Sequence, residues 1–460
     1  KDYRLWFKLN ENANVGIKTS VGNSKTKLVK NSLGQGTFGA ALASSVNIGC
    51  AIVNTFKNKI TARIGNLGLN CVIMQDDVAK LNSKLEEARL GCDLIDDTLK
   101  RKQLAVNHDK SKYLIMGSRK FRHDTLQALE AEPMMMGGVK IDHSTSEKYL
   151  GDIVSELGCR ESVSLTIKER IRKMISKGDE LIQIAEAPLM GGLGNSTVAI
   201  KLFEAQIIPA LLFNCESWIG ITQTHISDLQ NFQDKFLRKL MRLPPSTPKA
   251  ILHWDGGMEL MKWRIALKKM QFVRKTMLRD DDNICKKALL NEWMLGIKGL
   301  GHECMEIAQS IGLQDPRTTP IQKGAIKTAI AKQSWNEKRA AMSESRKVGD
   351  RLTDNPADNT YLQFMSLHNS RLWFRYRARA IKGVKVNQKN SHRDLSCRFC
   401  QDGVQESQEH LIECGGCWYE RRNLDLNNWK GMVIFWRRMT AKYEAKGVRR
   451  EETDVDAAVT

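Results

Sequence analysis

Toward its C-terminal end the chain places Cys397-x-x-Cys400 ahead of His410-x-x-x-Cys414. Few patterns restrict a fold so tightly. Two thiols two residues apart sit on one knuckle of backbone, and a His and a Cys four apart on a helix project from one face. Together they supply the donors of a tetrahedral Zn²⁺ site. With every position taken by protein, no place remains for a substrate. The spacing therefore predicts a structural zinc held by Cys397, Cys400, His410 and Cys414, with Cys417 as an alternative ligand. The chain has 11 cysteines, and those outside this cluster are scattered singly. That usage belongs to a reducing compartment, so the expected location is intracellular, nuclear or cytoplasmic, and not secreted.

A length of 460 residues allows two or three domains, and 42% hydrophobic residues give material for an ordered, mainly helical fold. The net charge of +20 points to a polyanion as partner, because such an excess repels itself in a compact chain. No membrane association is expected. The most apolar stretch, Phe38 to Phe56, carries Ser44, Ser45, Asn47 and Asn54, and it reads as a buried helix.

Farther upstream, Val72-Ile73-Met74-Gln75-Asp76-Asp77-Val78-Ala79-Lys80 reads as strand, tight turn and strand. Adjacent carboxylates at its tip repel each other unless a cation lies between them. Asp76 and Asp77 are thus candidate ligands for Mg²⁺, which leaves room in its coordination shell for phosphate oxygens. Before the hairpin, Gly34-Gln35-Gly36-Thr37 opens the apolar helix and suits a phosphate- or nucleotide-facing loop. After it come an amphipathic helix from Asn82 to Leu104, then Asn107-x-x-Lys110-Ser111-Lys112, then Lys148-Tyr149-Leu150-Gly151.

The order of these four motifs resembles the palm of a reverse transcriptase, most closely the non-LTR retrotransposon type. The resemblance covers about residues 31 to 155 and implies roles residue by residue. Asp76 and Asp77 would hold Mg²⁺ for nucleotidyl transfer, and Gln35 and Gly36 would contact template and incoming nucleotide. Lys110 or Lys112 would lie near the leaving pyrophosphate, while Tyr149, Leu150 and Gly151 would grip the primer end. The partners implied are an RNA template and a DNA primer or target. Two departures are visible: Met74-Gln75 replaces the family's aromatic and small residue, and no upstream aspartate matches the family's first catalytic carboxylate. The polypeptide as it stands is expected to bind template–primer without polymerising.

Beyond the palm-like region the pattern is helical. Ile167, Ile171, Met174 and Ile175 form a stripe opposite Lys168, Arg170, Arg172 and Lys173, and Phe232, Phe236 and Leu240 form another. This resembles the family's thumb and ends at Pro244-Pro245. A basic, aromatic stretch follows later, with Arg371, Arg375, Arg377 and Arg379 as candidate phosphate ligands between Trp373, Phe374 and Tyr376. The same family carries a Cys-Cys-His-Cys module after its thumb.

The expected fold class is α+β, mainly helical: a partial palm with a short antiparallel sheet, a helical thumb and connector, and a small zinc knuckle. The expected divisions are a palm at 1–155, a thumb at 156–245 and a helical connector at 246–345. A linker with the basic aromatic segment at 346–394, a zinc knuckle at 395–420 and a basic helical tail at 421–460 complete the chain. The competing reading is a non-catalytic nucleic-acid-binding protein with a zinc knuckle.

Overall fold

Short apolar runs broken by glycine, asparagine and lysine cannot build long strands, and the first third of the chain folds into small strand pairs. The computed structural model describes residues 77–102, 104–187, 195–317, 321–351, 365–381, 394–400 and 402–445, together with Ile52, Phe56, Leu362, Val384 and short strands before residue 75. The predicted loop at 34–37 lies outside the described residues, as does most of the apolar stretch 38–56. Its Ile52 and Phe56 are helical and buried. Two compact units emerge, one of residues 1–158 with 279–298 and one of residues 159–278 with 299–460.

In the first unit β1 (Ala13–Val15) pairs with β4 (Lys27–Val29), enclosing β2 (Lys18–Thr19) and β3 (Gly22–Asn23). Two further antiparallel hairpins follow, β5 (Ala62–Ile64) with β6 (Leu67–Leu69), and β7 (Cys71–Met74) with β8 (Asp77–Lys80). The amphipathic helix expected next is α1 (Leu85–Arg101), which buries Ile95 and turns Leu85, Ala88 and Cys92 toward the same core. β9 (Lys112–Tyr113) leads to α2 (Arg119–Ala131), whose first turn is capped by the Ser118 hydroxyl. A tight hairpin of β10 (Met135–Met136) and β11 (Val139–Lys140) then places Gly137 against Asp96. A Cβ on Gly137 would stand 2.4 Å from the Asp96 carboxylate, and its φ of +58° also favours glycine. β12 (Asp142–His143) runs parallel to β9, and β13 (Ser146–Tyr149) pairs with β14 (Asp152–Ser155). Among the described residues these pairs are not joined into one wider sheet, in contrast to the short antiparallel sheet expected from the sequence. The core they share consists of Ile52, Phe56, Ile95, Ile115, Leu129, Met134, Met136 and Ile141.

The second unit is helical. α3 (Cys159–Glu186) buries Ile167 and leans Ile171 and Met174 on the core, but Ile175 is exposed. Arg170, expected on the solvent side, is buried and donates to the carbonyls of Leu211 at 3.3 Å and Phe213 at 2.5 Å. A charged residue replaces an apolar one on the buried face because the neighbouring helix ends there with carbonyls that need donors. α4 (Ser196–Leu202) continues through a π-helical turn, Phe203–Ile207, into α5 (Ile208–Leu211). Pro209 at the start of α5 has no amide hydrogen to donate, which accounts for the widened turn. Phe203 stacks on Phe232 and Phe236 of α6 (Gln223–Met241), with ring centroids 5.9 and 4.2 Å away.

α7 (Lys249–Asp255) and α8 (Met261–Met277) follow, and α9 (Ile284–Met294) belongs to the first unit. α10 (Leu300–Ser310) and α11 (Lys323–Ser343) both pack on α8. The buried Lys269 of α8 pairs with Glu303 and donates to the carbonyl of Trp218 at 2.5 Å. α12 (Leu367–Arg377), α13 (Gln408–Glu413), α14 (Trp418–Arg421) and α15 (Trp429–Ala445) close the unit. The segment expected to be a basic helical tail is helical over Trp429–Ala445 and packs by its apolar face. Met432, Phe435, Trp436, Met439 and Tyr443 of α15 form one buried cluster with Tyr376, Leu411, Cys397 and Cys414. Among the described residues no helix is long and apolar enough to cross a membrane.

Candidate metal centre and hairpin site

Around the cysteines, backbone geometry follows from a few side chains. Ser407 caps α13 by accepting the amide of His410 at 3.1 Å, so the helix starts where the histidine faces inward. Cys397 and Cys400 sit on a turn closed by an isolated bridge between Ser396 and Gln405. The amide of Phe399 points at the Cys397 sulfur at 3.4 Å. Gly416 must be glycine, because a Cβ would fall 1.6 Å from the Phe399 carbonyl.

The four ligand atoms of Cys397, Cys400, His410 and Cys414 lie within 4.8 Å of one another. Zn–S bonds of about 2.3 Å in a tetrahedron require sulfur–sulfur edges of about 3.8 Å. The Cys397 and Cys414 sulfurs are 3.8 Å apart, and the Cys400 sulfur is 3.3 Å from His410 Nε2. The cluster can hold a metal ion, and its three thiols and one imidazole suit zinc. Cys417 is fully buried beside the cluster, and burial followed by the neighbouring Cys414 pushes its thiol strongly upward.

Sequence reasoning missed what carries the cluster. Glu406 is fully buried and accepts from the amide of Arg398 at 3.1 Å, from its guanidinium at 2.8 Å, and from the Tyr443 hydroxyl at 3.2 Å. Gln408 donates to the Tyr376 carbonyl at 2.9 Å and accepts from the Ile381 amide at 3.1 Å. These bonds fasten the knuckle to α12 and α15. Their only sequence signal is polar residues interleaved with the cysteines.

The hairpin site lies in the first unit. The expected strand–turn–strand forms, with Met74 opposite Asp77 in register. Asp77 opens β8 and is exposed, while Asp76 lies outside the described residues, as do Gln35 and Gly36. Tyr149, far away in sequence, donates its hydroxyl to the Val72 carbonyl at 3.3 Å. Burial, and then the carboxylate of Asp77, raise the Tyr149 phenol above its ordinary range. The structure thus brings the Lys-Tyr-Leu-Gly segment against the hairpin that bears Asp77. Leu150 and Gly151 form its two-residue turn with φ of 50° and 89°. Both values are positive, which the twist of a tight hairpin demands and a leucine tolerates poorly.

The two lysines differ. Lys112 is committed to Asp142 at 2.8 Å, and that bond holds the Asp142 carboxyl below its ordinary range. Lys110 is exposed at the end of a short turn whose amide is capped by Asn107 at 3.2 Å.

The four arginines of the basic aromatic segment are turned toward protein. Arg371 donates to the Leu240 carbonyl at 2.8 Å and pairs with Glu186. Arg375 reaches the Arg242 carbonyl at 3.1 and 2.9 Å, and burial together with Arg371 and Arg242 lowers it to about 10. Arg377 is buried on Asp255, and Arg379 lies between Asp350 at 2.8 Å and Glu409 at 3.3 Å. The reason is local: α6 ends at Leu240 to Arg242 with free carbonyls, and arginines on α12 satisfy them. No protein-family model matches this chain, and no curated protein matches it.

Proposed function

We propose that this chain is a nucleic-acid-binding polypeptide of the non-LTR reverse-transcriptase type, taking an RNA template and a DNA primer or target. The observation that carries the reading is the Tyr149 hydroxyl on the Val72 carbonyl, which joins segments 77 residues apart in sequence. Those segments contain two of the motifs that imply a palm, a carboxylate hairpin and a primer-end hairpin. The charge of +20 supports a polyanionic ligand.

In this reading Asp76 and Asp77 would hold Mg²⁺, which when bound neutralises charge on the reacting phosphate. Tyr149 fixes the turn at Leu150 and Gly151 against β7, so the turn can seat a primer terminus without moving. Lys110 is the better candidate for the pyrophosphate, since Lys112 is held by Asp142. The residues present include two of the three carboxylates such a centre uses, so binding is the expected activity of these 460 residues. The knuckle would hold a structural zinc through Cys397, Cys400, His410 and Cys414.

The test is binding to an RNA–DNA primer–template as salt is raised, with metal content measured on the same sample. The expected result is tight binding that falls steeply with salt, and one zinc per chain. Weak binding that ignores salt would remove the reading.

A further inference from the structure

α14 begins directly after the turn Gly415–Cys417 and is held from behind by its backbone. Arg421 donates to the carbonyls of Ile412 at 3.2 Å and Cys414 at 2.5 Å. Arg438 of α15 donates to the carbonyls of Glu420 at 3.0 Å and Arg422 at 3.1 Å. Lys442 reaches the Gly416 carbonyl and the Glu420 carboxylate, each at 2.7 Å. A segment this short, anchored by cations on its inner side, has little freedom to turn.

Yet its outward side chains are aromatic. Trp418 is 56% exposed and Tyr419 is 66% exposed. Nearby Phe435, Trp436 and Tyr443 are all buried in the adjacent core, and these two rings stay outside it. The guanidinium of Arg422 lies over both, 5.8 Å from the Trp418 ring and 5.4 Å from the Tyr419 ring. Its spacing of four and three residues from them is what a helix turn brings together. The one carboxylate within α14, Glu420, is buried and paired with Lys442.

Exposed rings with a cation on them fit a ligand that is flat, aromatic and anionic. Unpaired nucleotides have that combination: every base offers a π-face, and each phosphate pairs with a guanidinium. A paired duplex offers no such face along its length. We propose that Trp418, Tyr419 and Arg422 form a stacking platform for unpaired nucleotides of a single-stranded nucleic acid, mounted on the cysteine knuckle. The proposal rests on the nucleic-acid reading above and adds a specific place and strandedness to it.

The experiment compares the full chain with its Trp418→Ala/Tyr419→Ala and Arg422→Ala variants. Each is titrated with a labelled oligouridylate, with an RNA–DNA primer–template duplex, and with phosphatidylserine vesicles. Because the rings are exposed, metal content and melting should match the parent. The double variant should bind oligouridylate about tenfold or more weakly, with the same salt slope and unchanged duplex affinity. Arg422→Ala should lower the salt slope for oligouridylate by about one. A Trp418→Phe/Tyr419→Phe variant should retain most of the affinity. If the double variant binds oligouridylate like the parent while the parent still binds duplex, the platform is wrong and the broader reading stands. If the parent binds neither nucleic acid, both fall together. Vesicle binding lost in the double variant, with oligouridylate binding intact, would reassign the rings to a lipid surface.

Discussion

The cysteine knuckle and the carboxylate hairpin are both small devices built on tight turns, but they are specified differently. Every ligand of the knuckle lies between residues 397 and 414, and local spacing brings the sulfurs to tetrahedral separation. The hairpin with Asp77 is met by Tyr149 from a separate strand pair. Local spacing sets the ligand positions of the first, which tertiary bonds then fasten to α12 and α15; in the second, tertiary packing brings the two hairpins together. A short-range site should therefore fail all at once when one ligand is removed, and a long-range site should fade by degrees.

The sharpest break of that comparison is at the knuckle. His410→Ala or Cys414→Ser should abolish stoichiometric metal, and the buried set of Tyr376, Phe435, Trp436 and Tyr443 should lose its fixed packing. Structural zinc contributes about 10–16 kcal/mol of apparent binding free energy in small modules, so this is the largest effect expected. Metal analysis and near-ultraviolet circular dichroism of the variants check it. Retained dichroism without metal would make the knuckle a packed cluster that needs no ion.

Next in size is Phe203→Ala in the helical unit, which removes a fully buried ring stacked on Phe236. Such a truncation costs about 3–5 kcal/mol, measured by denaturant unfolding. It should leave metal content untouched, which separates general destabilisation from the loss of the knuckle.

A smaller effect comes from Glu186. Burial would raise its carboxyl, but Arg371 and Arg242 outweigh burial and hold it below its ordinary value. A carboxylate depressed in the folded state adds stability that is complete above its unfolded pKa of about 4.3 and fades as pH falls through the lower folded value. Glu186→Gln should flatten the acid limb of stability against pH, read from unfolding midpoints. An unchanged limb would mean that Arg371 is satisfied by the Leu240 carbonyl alone.

The mildest change sharpens the hairpin side. Leu150 holds a φ of 50° and is 38% exposed, so its side chain gains little from the fold that strains its backbone. Leu150→Asn should stabilise the hairpin by about 1 kcal/mol, visible as a raised melting temperature. Weaker binding of a primer end by the same variant would show that the leucine is kept for contact.

Much of the architecture could be read from residues before any coordinates. The β7–β8 hairpin, the amphipathic α1 and the ligand quartet all follow from patterns that span fewer than about twenty residues, where periodicity and turn chemistry act directly. What the sequence does not show is where distant groups compete. Arg170 looked solvent-facing on its own helix, yet carbonyls of Leu211 and Phe213 draw it inward. Arg371, Arg375 and Arg377 looked like a phosphate surface, and they close helix ends and a buried carboxylate instead. The tail from Trp429 is helical and its cations outnumber its acids, and its apolar face also completes the core around the knuckle. In each case the sequence shows the charge and hides the partner.

The most direct test of the account concerns the primer end. A DNA primer carrying a photoreactive 4-thiothymidine at its 3′ terminus, annealed to RNA and irradiated with the full chain, should crosslink within 146–155 and 71–80. Crosslinks confined to the helical unit, or none above background at low salt, would contradict the claim that the Tyr149 and Asp77 hairpins together form a primer-terminus site.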